Sequence, residues 1–293
     1  MNEANLDRIP RNCGLKLKAV YATLKIAERK AADFILEFPD EVREITIVDF
    51  AQRANCSEAT IVRLSKRLGY RGFPELKSDF AGKQDHNDDE NLDYQGISRR
   101  DSPVEVMQKV IDATVGALRD TFNILDKRAY EQALETLLKA PNILFCGVGD
   151  AALVAMEAYQ RFVRIGQSCC TSEDPDLQMI MASHLAKGDA LIAVSHSGKS
   201  RTVVNSVKMA REKGATVIAI TNFPVSPLTK NSDIVLLTAV FSQHVTGEVI
   251  SKRVAELCVI ESLYINYVLK KGKSSLAHLQ TSNEAVKINK LWN

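Results

Sequence analysis

A run of hydroxyls around one glycine, Ser195-His196-Ser197-Gly198-Lys199-Ser200, follows an apolar stretch and leads at once into a helical one. Serine side chains, a permissive glycine and the free N–H groups of a helix N-terminus make a cradle for an anion, and a phosphate fits it. Lys199 adds charge, and His196 lies within the cradle as a ligand contact or a solvent-facing side chain. A serine-rich turn that only caps its own helix has the same composition. A second turn, Gly147-Val148-Gly149-Asp150-Ala151, brings two more glycines.

Residues 46–70, TIVDFAQRANCSEATIVRLSKRLGY, point to a different chemistry. They hold two short helices with a tight turn between. Ala51 is small where the helices must approach, and Ile61, Leu64 and Leu68 form an apolar stripe on the second helix. The turn falls at Asn55, because asparagine tolerates positive φ best after glycine. Ser57 stands where an N-cap belongs. The stripe leaves Glu58, Ala59, Thr60, Arg63, Lys66 and Arg67 toward solvent, a face suited to a DNA major groove. Thr60 and Arg63 are expected at base edges, and Ser57, Lys66, Arg67 and Lys77 at phosphates. A helical hairpin with a solvated basic face is the plainer alternative, and the joint occurrence of small residue, turn residue, cap and basic face weighs against it.

The elements that must position these residues follow from pattern and composition. The 293 residues are 45% hydrophobic and 25% charged, an ordinary globular balance that suits two domains of unequal size. Net charge is only +2, but its distribution is uneven. Residues 53–83 carry seven basic side chains against three acidic ones, whereas residues 85–93 carry five acids and no Lys or Arg. A basic module on a tether is implied. No apolar run is long enough to span a membrane, and the start lacks the order of a signal peptide, so a cytoplasmic location is expected. The six cysteines show no metal-ligand or CxxC spacing, and neither a metal nor a cofactor is expected.

Residues 1–84 read as helical throughout, with one long first helix running up to Pro39. Residues 85–102 read as a polar linker. From residue 103 two helices, 103–125 and 127–139, precede apolar runs at 142–147, 167–172, 189–195, 216–221 and 233–238. Helical stretches at 151–165, 175–186, 200–213 and 226–231 separate them. Short apolar runs joined by helices signify buried parallel strands in βαβ units. The fold class expected is therefore an all-α helix-turn-helix domain, 1–84, followed after the linker by an α/β flavodoxin-like doubly wound parallel sheet, 103–293. In strand order 2-1-3-4-5 the loops after the first and third strands flank the switch point where ligands bind, and those are the two glycine-bearing turns above. A long last helix, 248–271, and a mobile tail close the chain. Cys169 and Cys170, adjacent on a strand, should face opposite sides of the sheet.

The string SEATIVRLSKRLGYRGFPELK, residues 57–77, resembles the amino-terminal domain of RpiR-type regulators. Residues 105–270, with DALIAVSHSGKS and GATVIAIT, resemble the SIS, or sugar isomerase, domain that follows it in that family. The resemblance implies operator DNA bound by a homo-oligomer, dimer or tetramer, and a phosphorylated sugar as effector with Ser195, Ser197 and Ser200 on its phosphate. Two positions depart from the family pattern. Ala151 replaces a phosphate-assisting serine, and Asp176 stands where members often carry histidine. Asp150 would repel an anion unless it turns away.

Catalysis would need a base beside the sugar carbons, and His184, His196, His244, Glu248 and Glu256 are the candidates. Glu248, Ser251 and Arg253 open the last helix and could close over a sugar, or Glu248 could simply serve the helix dipole. The DNA-binding domain favours sensing without turnover, so no catalytic residue is assigned. A phosphosugar isomerase with a helical oligomerisation domain is the second reading. A dinucleotide site is a distant third, since residues 147–152 fit G-x-G-x-x-A but the serine cradle is then unexplained.

Overall fold

In the computed structural model, residues 9–21, 23–81, 97, 100–240 and 250–289 are described. The chain divides into two compact units, Met1–Ile124 with Ala239–Ser251 and Leu125–Thr238 with Lys252–Asn293. Most of the expected linker, and Glu248 and His244, lie outside the described residues.

Among the described residues, the first unit begins with six helices: α1 (Arg11–Tyr21), α2 (Ile26–Glu37), α3 (Pro39–Val42), α4 (Ile47–Arg53), α5 (Glu58–Arg67) and α6 (Phe73–Ala81). The single long first helix expected from hydropathy is two helices. The apolar period runs through the junction, but polar bonds break the backbone there. Thr23 Oγ1 donates to the Val20 carbonyl at 2.7 Å, and the Lys25 N–H donates to Glu28 Oε2 at 3.1 Å, starting a new helix. Leu17, Phe34, Ile35, Phe50, Ile61, Leu64, Leu68, Leu76 and Phe80 are buried in this unit. A further helix, α7 (Pro103–Asn123), starts from a capping box in which Ser102 Oγ accepts from Glu105 N–H and the Glu105 carboxylate accepts from Ser102 N–H.

The second unit is a five-stranded parallel sheet, β1 (Ile143–Cys146), β2 (Cys169–Thr171), β3 (Ala190–Val194), β4 (Thr216–Thr221) and β5 (Ile234–Leu237), in order β2-β1-β3-β4-β5. Side-chain alternation sorts each strand between two cores. Ile143, Phe145, Ile192, Val194, Ile218, Ile220 and Leu236 face α8 (Lys127–Lys139), α9 (Asp150–Arg164) and α13 (Ile250–Lys271). Leu144, Cys146, Leu191, Ala193, Val217 and Ala219 face α10 (Pro175–Ser183), α11 (Arg201–Glu212) and α12 (Pro227–Lys230). Helices on both faces are what a continuous apolar run needs. Cys169 packs into the first core and Cys170 against the second, as expected of strand neighbours.

The expected mobile tail is instead a helix, α14 (Lys273–Ala285), and a 3-10 turn, Lys287–Asn289. It starts at Gly272, whose φ of 61° turns the chain back after α13. Polar contacts dock it on the end of α9: Ser282 Oγ donates to the Arg164 carbonyl at 2.8 Å, and Arg164 Nη2 donates to Asn283 Oδ1 at 2.6 Å. Such contacts leave no hydropathy period to detect.

Candidate nucleic-acid interface and effector site

The turn between α4 and α5 is built as its residue types require. Asn55 has φ 49°, the one positive φ at a non-glycine among the described residues. Thr46 caps α4 through Asp49 N–H at 3.1 Å, and Ser57 caps α5 through Thr60 N–H at 3.2 Å. Ala51, at the contact between the two helices, is buried.

Exposed on α5 are Glu58, Ala59, Arg63, Lys66 and Arg67, with Ser57 just before them. Thr60 is not among them. It is 2% exposed, because the buried face takes Thr60, Ile61, Leu64, Ser65 and Leu68, a wider stripe than the apolar residues alone mark. Its Oγ1 lies 2.9 Å from Ser57 Oγ and accepts from Arg63 Nη2 at 3.2 Å. Thr60 is therefore off the exposed face where it was expected, and its hydroxyl holds the Arg63 guanidinium.

Two expected phosphate contacts are tied into the domain. Arg67 Nη1 donates to Glu28 Oε2 at 3.0 Å, and Nη2 donates to the Thr23 carbonyl at 3.0 Å and to Thr23 Oγ1 at 2.7 Å. It clamps the end of α5 to the α1–α2 junction. Lys77 Nζ donates to the carbonyls of Glu44 and Ile45, at 3.1 and 3.0 Å, satisfying groups left open after α3. Glu28, buried at the hub of that clamp, carried no sequence signal.

In the second unit the two glycine turns stand at the carboxyl ends of β1 and β3, neighbours at the point where strand order reverses. Gly147 is buried, and a Cβ there would lie 2.4 Å from the Ala151 carbonyl oxygen. Only glycine lets α9 start so close to the strand. Gln178, 1% exposed on α10, donates through Nε2 to the carbonyls of Gly147 at 2.7 Å and Ser172 at 2.6 Å, holding the ends of β1 and β2 together. It went unnoticed in the sequence. Asp176 is exposed in the first turn of α10, which Asp174 caps.

The 195–200 loop is fastened to the end of β4 and to α12. Ser195 N–H donates to the Ile220 carbonyl at 3.1 Å, and the His196 carbonyl accepts from Asn222 N–H at 3.0 Å and from Thr221 Oγ1 at 3.1 Å. Gly198, at φ 64°, donates to the Ser195 carbonyl, and its own carbonyl accepts from Leu228 N–H. A Cβ on Gly198 would fall 2.2 Å from Ser226 Oγ. Ser197 Oγ accepts from Lys199 N–H at 3.2 Å. Ser200 is the N-cap of α11 but makes no side-chain cap hydrogen bond, so its hydroxyl and the first-turn N–H groups can serve an anion. Ser195 is buried, and His196, Ser197, Lys199 and Ser200 are half-buried.

The start of α13 reaches both turns. Lys252 Nζ lies 3.2 Å and Arg253 Nη1 3.5 Å from the Asp150 carboxylate, so that acid is neutralised by cations rather than facing an anion alone. Glu256, 2% exposed on the same helix, has Oε1 3.9 Å from His196 Nδ1, too far for a hydrogen bond, and that oxygen has no hydrogen-bond partner among the described residues. Burial pushes its carboxyl up from 4.5 to about 8, with Asp150 adding to the rise and Lys252 and Arg253 opposing it. The His196 ring stands edge-on to Phe223, 6.1 Å between centroids.

Taken together these are a helix-turn-helix domain and a doubly wound α/β domain with a serine loop at a helix N-terminus. The helix-turn-helix domain of the rpiR family matches residues 12–86, and the SIS domain matches residues 136–266. A transcriptional regulator of Caldanaerobacter subterraneus subsp. tengcongensis with no assigned role is 33% identical over 91% of this chain and 94% of its own. The transcriptional regulator HexR of Pseudomonas aeruginosa is 30% identical over 90% of this chain and 91% of its own. Among solved structures, the Vibrio vulnificus NanR protein complexed with ManNAc-6P superposes with a TM-score of 0.62 at 26% identity, covering 95% of this chain and 99% of that one. This chain belongs to the RpiR family of helix-turn-helix transcriptional regulators with a SIS domain. No helix among the described residues is long and apolar enough to cross a membrane.

Proposed function

We propose that this regulator represses a carbohydrate-metabolism operon in the cytoplasm and releases its operator when a phosphorylated sugar occupies the 195–200 cradle. The observation that carries this reading is the fastened serine loop at the open N-terminus of α11, next to the glycine turn after β1. Gly198, Lys199, Ser195, Ser197 and Ser200 take the phosphate; Gly147 and Gly149 let the first turn approach; His196 and Asp176 lie on the sugar side. NanR, structurally similar over its whole length, is a relative solved with a sugar phosphate bound. On DNA, Arg63 reads a base edge and Ser57 and Lys66 meet phosphates, with Thr60, Arg67 and Lys77 holding the reader's shape. A homo-oligomer presents two recognition helices to two half-sites. The functional division is 1–84 for DNA, 85–102 as linker and 103–293 for the effector.

The full-length protein is tested on its own upstream region by fluorescence anisotropy, with ManNAc 6-phosphate, glucose 6-phosphate, fructose 6-phosphate and inorganic phosphate as additions. One sugar phosphate should weaken DNA binding at least tenfold. The reading fails if none changes it. The buried Glu256 carboxyl beside His196 is also what an isomerase would need, and NMR of the releasing sugar separates the two readings: sensing leaves it chemically unchanged.

A further inference from the structure

We infer that Glu256 is the residue that reads the sugar end of the effector, hydrogen-bonding a ring oxygen while the 195–200 loop holds the phosphate. This rests on the phosphosugar reading above. The placement comes from three elements that meet at the switch point. The loop after β3 brings His196 to within 3.9 Å of the Glu256 carboxyl, and the turn after β1 is joined to the same stretch of α13 through Asp150 with Lys252 and Arg253. A sugar extending from the cradle toward the first turn therefore passes the face of α13 that carries Glu256.

Glu256 is equipped for that contact. Its Oε1 is buried and has no hydrogen-bond partner among the described residues, and an unsatisfied buried acceptor is costly unless something supplies a partner in another state. At 3.9 Å from His196 Nδ1 the carboxyl is beyond hydrogen-bond reach, and the two form an ion pair only with the imidazole protonated and the acid ionised. An apolar residue would fill the position with no such cost. Among the described residues, the charged and titratable groups facing it are Asp150 from α9, Lys252 and Arg253 from α13, and His196 from the loop. The two cations are paired with Asp150, so burial dominates and the group is a neutral acid near pH 7. A neutral acid can donate its proton to a sugar oxygen and accept from a hydroxyl at once, which a carboxylate cannot.

The test is calorimetric titration of the full-length wild type, E256A, E256Q and S197A with the sugar phosphates named above and with inorganic phosphate. E256A should bind the preferred sugar phosphate at least tenfold more weakly and inorganic phosphate unchanged, whereas S197A should weaken both. Wild-type affinity for the sugar phosphate should fall about tenfold from pH 7 to pH 9 as the acid ionises, and E256Q should bind with no such fall. That flat profile separates sugar contact from a role in folding, because E256Q preserves shape and a donor. The inference is overturned, with the phosphosugar reading intact, if binding depends on Ser197 but is equal in E256A and wild type, or if the pH profile survives in E256Q. It is overturned also if no sugar phosphate binds more tightly than inorganic phosphate. If no phosphorylated compound binds the wild type, the phosphosugar reading falls, and this inference falls with it.

Discussion

Glu256 has a second consequence, for stability. A carboxyl at about 8 in the native state and at its ordinary 4.5 in the unfolded chain holds a proton that the unfolded chain has released. Stability is therefore greatest, as far as this group goes, below pH 4.5, and it declines as pH rises toward 8. At pH 7 the cost is roughly 3 kcal/mol, at about 1.4 kcal/mol per pH unit. E256Q, which never ionises, should raise the melting temperature at pH 7.5 and flatten its dependence between pH 5 and 8. Parallel melting curves for variant and wild type would show that Glu256 is not held neutral. Asn55 makes a separate prediction at this scale. Its φ of 49° suits glycine better than any β-branched residue, so Asn55→Val should lose about 1–2 kcal/mol while Asn55→Gly is tolerated, as read by urea unfolding.

Among the elements, the proposed function divides α5 into residues for DNA and residues for the domain. Lys66, exposed on its outer face, should reduce the salt dependence of operator binding by about one counterion when changed to alanine. Arg67→Ala should do something different. With its guanidinium spent on Glu28 and Thr23 and about a third of the side chain exposed, its loss should destabilise the domain by about 1 kcal/mol, leaving the salt slope unchanged. An unchanged melting temperature with a shallower slope would return Arg67 to the phosphate contacts. In the sheet domain, Gly147→Ala should cost about 1–3 kcal/mol, because its methyl would meet the Ala151 carbonyl and push the start of α9 off the strand. Thermal unfolding in the absence of ligand reads that directly.

For the whole molecule, the proposed function requires the two sites to be coupled by a free energy that works both ways. If a sugar phosphate weakens operator binding by some factor, saturating operator DNA must weaken sugar binding by the same factor. Titrating the sugar phosphate into the full-length protein with and without operator checks it, and unequal factors would mean that the two ligands do not act on one equilibrium. The features that point to these functions were legible in unequal measure. The cap at Ser57, the turn at Asn55, the five apolar runs and both glycine turns are local signals, readable from neighbours within a few residues. They carried the helix-turn-helix and the strand segments to within a residue or two. Thr60 was misplaced because a threonine is apolar enough to join a buried face and polar enough to be read as exposed.

What the chain's sequence determined alone was whatever depends on short-range chemistry: caps, positive φ, apolar period, and the chemical character of the cradle. Tertiary structure decided the rest, because contacts between polar residues far apart in the chain leave no period behind. Arg67 turned out to belong to Glu28, 39 residues away, and so became a clamp. The tail is a helix docked by two polar contacts across 118 and 119 residues and by Leu279 against the sheet core. Glu256 and His196 meet only because α13 and the β3 loop converge on one end of the sheet, where burial, a property of the folded chain alone, gives a carboxyl its proton.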